Sequence, residues 1–212
     1  MKIDFINQLY KEIEKTKKYE NPFVIMLSGP PGAGKTYFSK ELSRKLKIYL
    51  LSTDYVRNFF YQFENEYTED NRISIEEKVK SINDERLQIL VDNNISMILD
   101  SCQNNLDVYN QCMFDKYRKL LIEIVSENDE VNIERIQSRE IDYIKKDETI
   151  IGDNVAYSGS YTGDVYYQIK NRKNNIIPKY KYDFIIENDG TLEEYNIKIE
   201  TLIEKIKKNL NL

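Results

Sequence analysis

Histidine does not occur anywhere in this chain. Its absence excludes a Ser-His-Asp triad, a histidine-ligated zinc and every mechanism in which an imidazole moves the proton. Any proton acceptor must be a carboxylate, a lysine, a tyrosine, a cysteine or water. Tryptophan is also missing, and only two cysteines occur, Cys102 and Cys112. They form neither a C-x-x-C nor a zinc pattern, and so few thiols suit a reducing cytosol better than a disulfide framework. No apolar run approaches a membrane span, and the charged stretch Met1–Glu20 has no apolar core of signal-peptide length. These absences predict a cytoplasmic protein with no membrane partner. An excess of positive charge is lacking too. The net charge of −5 argues against a nucleic-acid-coating protein, whose binding rests on neutralising phosphates with Lys and Arg, but leaves room for a local basic site.

What is present is ordinary globular material: 212 residues, 41% apolar and 32% charged, enough for one well-buried domain over residues 1–212. The 17 tyrosines read as amphipathic packing residues rather than a stacking platform. The specific signal is Gly29-Pro30-Pro31-Gly32-Ala33-Gly34-Lys35-Thr36. This is a complete phosphate-binding loop, G-x-x-x-x-G-K-[ST]. Its glycines let backbone N–H groups turn inward around phosphates, Lys35 supplies a point charge to the β- and γ-phosphates, and Thr36 Oγ suits Mg²⁺. The flanks agree. Phe23–Leu27 is an apolar run of strand length, and Tyr37–Leu46 carries Phe38, Leu42 and Leu46 on one helical stripe. Strand, glycine loop and helix set a helix N-terminus against an anion.

The rest of the chain alternates strands with helices. Ile3, Ile6, Leu9, Tyr10 and Ile13 make a stripe in a leading helix within residues 1–20. Strands are expected at 23–28, 48–52, 95–99, 120–125 and 182–186. Helices are expected at 35–46, 55–61, 74–92 (Ser74 and Glu77 as a capping box), 105–118, 129–140 and 163–172. A last helix follows the Thr191–Glu194 box, with Ile199, Leu202, Ile203, Ile206 and Leu210 inward. Residues 64–73 read as loop, and 141–161 as polar and irregular. The alternation predicts a three-layer α/β/α sandwich on a five-stranded parallel sheet, with ligands at the carboxyl ends of the strands.

Four further groups are placed to act there. Asp54 follows the second strand on the phosphate-loop edge, where a carboxylate orients an acceptor hydroxyl and takes its proton; Arg57, one turn on, holds an anionic group of the acceptor. Plain helix capping and an ion pair explain the same two residues. Asp100 ends the third strand, where it holds a metal-bound water or a neighbouring arginine. The residue after it is Ser101, not the glutamate of a hydrolytic motor, and there is no N-K-x-D of a GTPase. Arg135 and Arg139 share a helix face beside the 141–161 stretch, where they would close on a transferring phosphoryl group. An ion-paired surface helix fits them equally. Asn188-Asp189-Gly190 is a turn able to offer backbone groups to an adenine ring.

In order and spacing these motifs resemble the phosphate-loop kinases, in the adenylate-kinase-like and polynucleotide-kinase-like branch of small AAA-family ATP-binding kinases; zeta-type toxin kinases, which phosphorylate a sugar nucleotide, share much of the architecture. Thr53-Asp54-Tyr55-Val56-Arg57 is similar to that branch's D-x-x-R, with Asp as base and Arg on the substrate. Arg135-x-x-x-Arg139 resembles the R-x-x-x-R entering a lid, here about residues 139–162. Asn188-Asp189-Gly190-Thr191-Leu192-Glu193-Glu194 resembles the N-x-G-x-L-E-E ending. The resemblance implies ATP and Mg²⁺ as cofactors, the loop Gly29–Thr36 with Asn188 and Gly190 around the nucleotide, and Lys35, Asp54, Arg135 and Arg139 as catalytic residues. It further implies Arg57 and Asp100 beside the acceptor, and Thr36 and Asp100 at the metal. The implied reaction moves the γ-phosphate of ATP to a hydroxyl of a nucleoside, a nucleic-acid 5′ end or another small molecule. A nucleotide-dependent switch with no acceptor chemistry, and a hydrolysing ATPase, stand as alternatives. Acceptor and oligomeric state stay open.

Overall fold

Five apolar runs become the strands of one all-parallel sheet. The computed structural model describes residues 2–63, 72–100, 114–137, 149–153 and 181–212. In chain order the elements are α1 (Lys2–Ile13), β1 (Phe23–Ser28), α2 (Lys35–Leu46), β2 (Tyr49–Ser52), α3 (Thr53–Phe63), α4 (Arg72–Asp92), β3 (Met97–Asp100), β4 (Arg118–Val125), α5 (Asp129–Gln137), β5 (Phe184–Glu187) and α6 (Leu192–Leu210). The sheet order is β2-β3-β1-β4-β5. Successive side chains leave a strand on opposite faces. Phe23, Ile25 and Leu27 of β1 therefore pack with Phe38, Leu42 and Leu46 of α2 and with Ile199, Leu202, Ile203, Ile206 and Leu210 of α6. Val24 and Met26 pack on the other side with Leu9 of α1 and Leu87 and Leu90 of α4. This is the expected α/β/α sandwich, and β1 is buried along its whole length because both faces are covered. A third cluster, including Phe5, Val56, Phe60, Ile75 and Val79, fastens α1, α3 and α4 together.

The departures from expectation have local causes. The leading helix stops at Ile13 rather than filling residues 1–20. Thr16 donates both its amide (3.0 Å) and its hydroxyl (2.7 Å) to the Ile13 carbonyl, and Lys17 N donates to Lys47 O (2.8 Å), which turns the chain toward the α2–β2 corner. Within α1, Phe5 and Glu12 join the inner face and Tyr10 lies outside it. Ser74 does not cap α4. The helix already runs from Arg72, its first turn held by burial of Ile75 against Val56 and Phe60. The Thr191–Glu194 box forms as expected, with Glu194 N on Thr191 Oγ1 (3.2 Å) and Thr191 N on Glu194 Oε2 (2.8 Å). Residues 114–117 make a turn rather than the end of a helix, closed by Tyr117 N on Phe114 O (3.0 Å).

The largest departure lies in the stretch expected to be an irregular flap. Residues 149–153 extend the sheet beyond β2: Leu50 N donates to Ile151 O (2.9 Å), Asp153 N donates to Leu50 O (2.8 Å), and Leu50 and Gly152 form a parallel bridge. Ile150 and Ile151 carry the segment into the core, and Ile151 N donates to Ser43 Oγ of α2 (3.2 Å). The remainder of 139–162, the expected loop at 64–71, the expected helices at 105–113 and 163–172, and both cysteines lie outside the described residues.

Candidate functional site

β1 ends at Ser28 and α2 begins at Lys35, so Gly29–Gly34 is the whole connection. All three of its glycines are required, and two of them bind the loop to later elements. Gly32 has φ +80°, and a Cβ there would meet the Asn132 carbonyl of α5 at 2.5 Å. Gly34 has φ +98°, and a Cβ would meet Asn188 Nδ2 at 2.6 Å. The first is pressed against α5 and the second against the turn after β5, in a backbone region L-residues avoid. Gly34 is also the N-cap of α2 and has no side chain to cap it. The first-turn amides of α2 are thereby left for an outside acceptor, at the positive end of the helix dipole. Lys35 Nζ folds over the loop and donates to Gly29 O (3.0 Å) and Pro30 O (2.9 Å).

The register brings the acidic residues to the same edge. Ser52 pairs with Asp100 across β2 and β3, and Met26 pairs with Leu99 across β1 and β3. Asp100 is buried and accepts hydrogen bonds from Ser39 Oγ (3.1 Å) and the Thr36 hydroxyl. Burial raises its carboxyl above the ordinary range; the Lys35 ammonium opposes this, Asp54 adds to it, and the Thr36 and Ser39 hydroxyls oppose it. Lys35, Thr36 and Asp54 are thus all within reach of the Asp100 carboxyl. A buried carboxylate joined to a hydroxyl is a hard oxygen pair that fits Mg²⁺, which commonly uses one or two carboxylates and completes its shell with phosphates and water. Among the described residues no group of three His, Cys, Asp or Glu side chains is placed to hold a metal alone. A cation at Thr36 and Asp100 would need oxygen donors beyond these two side chains.

Asp54 lies in the first turn of α3, and Arg57 one turn later donates to its carboxylate. Arg57 also forks onto Glu76 of α4, Nε on Oε1 (2.8 Å) and Nη2 on Oε2 (3.0 Å). The ion pair that served as the plain explanation is present, and Glu76, which the sequence did not single out, completes it.

On the other side of the loop the Asn188–Gly190 turn is a junction. Asn188 Nδ2 donates to Ala33 O (2.8 Å), and Tyr195 OH of α6 lies 3.4 Å from Gly34 O. Asp189 Oδ1 accepts from Ser126 Oγ (2.9 Å) and Glu127 N (3.0 Å). The structure places Arg135 here: Nη1 donates to Asn188 O (2.8 Å), and Nη2 to Asn188 Oδ1 (3.3 Å) and Gly190 O (3.4 Å). Arg139 lies outside the described residues.

Sequence reasoning missed one buried polar group altogether. Arg86 of α4 pairs with Asp153, with Tyr49 OH 3.2 Å from Arg86 Nη2. Both charged residues are almost wholly inaccessible. The available signal was positional: Arg86 stands four residues from both Ile82 and Leu90, on the inward stripe of α4. Asp153 had none, being one acid in a polar stretch.

The family model described as "Zeta toxin" matches residues 7–155, well over half of the chain. No curated protein matches significantly. Among solved structures, a candidate kinase of Chloroflexus aurantiacus is similar at TM-score 0.61 and 17% identity, over 89% of this chain and 98% of that one. A structure from the PezAT toxin–antitoxin system of Streptococcus pneumoniae is similar at TM-score 0.54 and 18% identity, over 65% of this chain and 62% of that one. Shikimate kinase of Bacteroides thetaiotaomicron reaches TM-score 0.50 at 15% identity, over 90% and 99%. At these identities the likeness is one of fold, that of the phosphate-loop kinases.

Proposed function

The chain belongs to the Zeta toxin family, and from that premise we propose that it is an ATP-dependent phosphotransferase with an alcohol acceptor. The observation that carries this reading is the meeting of Lys35, Thr36, Asp54 and Asp100 on one sheet edge beside the uncapped start of α2. The loop amides and Lys35 hold the β- and γ-phosphates, the ammonium exchanging two carbonyl partners for phosphate oxygens. Thr36 and Asp100 would hold Mg²⁺, which would neutralise charge on those oxygens. Asp54 accepts the proton of the acceptor hydroxyl as its oxygen bonds to the γ-phosphorus and the bond to ADP breaks. Arg57 starts out on Asp54. An anionic acceptor group that draws Arg57 to itself releases the Asp54 carboxylate to act as base. Glu76, through its two bonds, sets where the guanidinium waits before that exchange. Arg135, braced on the turn after β5, orders the nucleotide side of the loop through Asn188, and with Arg139 it neutralises the moving phosphoryl group. Asn188 and Gly190 flank the base.

Family membership favours a sugar nucleotide as acceptor over a nucleoside or a nucleic-acid 5′ end. γ-Labelled ATP, incubated with separate pools of sugar nucleotides, nucleosides and 5′-hydroxyl oligonucleotides, tests the reading. Label is expected in a product of the first pool. Label in free phosphate alone would make the protein a hydrolase; no release at all would leave a nucleotide-dependent switch.

A further inference from the structure

The buried Arg86–Asp153 pair is attached to the chain on both sides of Asp54. Upstream, Asp153 Oδ2 accepts from Ser52 N (2.8 Å). The ladder between β2 and residues 149–153 explains why that bond is unusual. Leu50 uses its amide on Ile151 O and its carbonyl on Asp153 N. Ser52 N, next in phase along β2, is taken by the Asp153 side chain instead. Downstream, the Arg86 guanidinium lies 5.4 Å from the centre of the Tyr55 ring, and Tyr55 OH donates to Gln8 Oε1 of α1 (2.9 Å). A backbone amide two residues before Asp54 and an aromatic side chain one residue after it therefore rest on one ion pair. The pair is otherwise hard to justify, because a buried ion pair seldom stabilises more than apolar side chains of like volume would.

We propose that Asp153, held by Arg86 and Tyr49, is a positioning residue for Asp54: it sets where the β2–α3 corner places the base carboxylate. The proposal rests on the phosphotransferase reading above. It adds that a segment almost a hundred residues from Asp54 in sequence controls the geometry of proton removal without touching a substrate. A shift of about 1 Å in a reacting group is enough for a loss on the order of a hundredfold.

The test compares wild type with Arg86→Met/Asp153→Leu and with Arg86→Met/Asp153→Asn, using labelled ATP and the sugar-nucleotide pool, together with hydrogen exchange of peptides covering residues 49–57. Both variants remove the two charges together, so neither leaves a lone buried charge. For Arg86→Met/Asp153→Leu, kcat is expected to fall about ten- to a hundredfold with the ATP KM within about twofold, and exchange at 49–57 to rise while β1 and β3 peptides are unchanged. Arg86→Met/Asp153→Asn keeps an oxygen for Ser52 N and should retain more kcat. Wild-type kcat in Arg86→Met/Asp153→Leu overturns the proposal, as does lost kcat with unchanged exchange at 49–57. Wild type that labels no pool refutes the phosphotransferase reading instead; the exchange result then decides alone whether the pair holds the corner.

Discussion

Burial lifts the Asp100 carboxyl above its ordinary 3.8, and that shift has a definite sign in stability. The folded empty protein holds this proton more tightly than the unfolded chain does. Its contribution to stability therefore declines as pH rises from about 4 through the raised folded value. Asp100→Asn removes the buried charge and keeps the hydrogen-bonding shape toward Thr36 and Ser39. Its Tm without ligand is expected to exceed wild type at pH 7, with the gap closing toward pH 4. The same variant should lose the Mg²⁺ dependence of nucleotide binding, a cost in function for a gain in stability. Thermal melts at several pH values, with and without Mg²⁺, check both. Asp54 is predicted to behave differently, because the proposed mechanism has it act on the acceptor and not on the nucleotide. Asp54→Asn should lower phosphoryl transfer by about 10²–10⁴-fold, the range for removal of a general base, while ATP affinity stays near wild type. Transfer at wild-type rate by this variant would remove the base assignment.

Among the elements, α6 shows how a short motif and a long stripe share the work. Its start is set by the reciprocal bonds of Thr191 and Glu194, and its place by five aliphatic side chains against the sheet. Thr191→Ala is expected to cost about 1 kcal/mol, the usual worth of an N-cap, seen as a lower urea midpoint at constant slope. The start of α2 is built the opposite way. Gly34 caps with nothing, and its φ of +98° against Asn188 ties the loop to the turn after β5. Gly34→Ala adds about 1 kcal/mol or more of backbone strain and pushes Asn188 off Ala33. Its effect should appear mainly as weakened nucleotide affinity in calorimetry. An unchanged affinity would mean that the turn does not shape the loop.

At the scale of the whole molecule, ATP on the sheet edge as proposed would draw on β1, α2, β3 and β5 together, so it should stabilise the fold as a unit. With Mg²⁺-ATP at about a hundred times its Kd, linkage gives about 2.7 kcal/mol, or roughly 5–10 °C in Tm for a chain of this size. Lys35→Ala should lack the shift; an equal shift in that variant would place the nucleotide elsewhere. The sequence alone determined the strands, the phosphate loop and the inward faces of α2 and α6, because each is written in contiguous residues: an apolar run, a glycine spacing, a stripe at helical period. It also marked Asp54 and Asp100, since the carboxyl ends of parallel strands converge on one edge whatever the loops do. Only the tertiary structure decided the partners. Arg135 settled on the Asn188 turn, Glu76 took Arg57, and residues 149–153, whose polar neighbours suggested a flap, became an extension of the sheet around Asp153 and Arg86. Those choices are made by groups far apart in the chain that must satisfy buried charges and hydrogen bonds at once, and no local pattern encodes which distant side chain will arrive to do so.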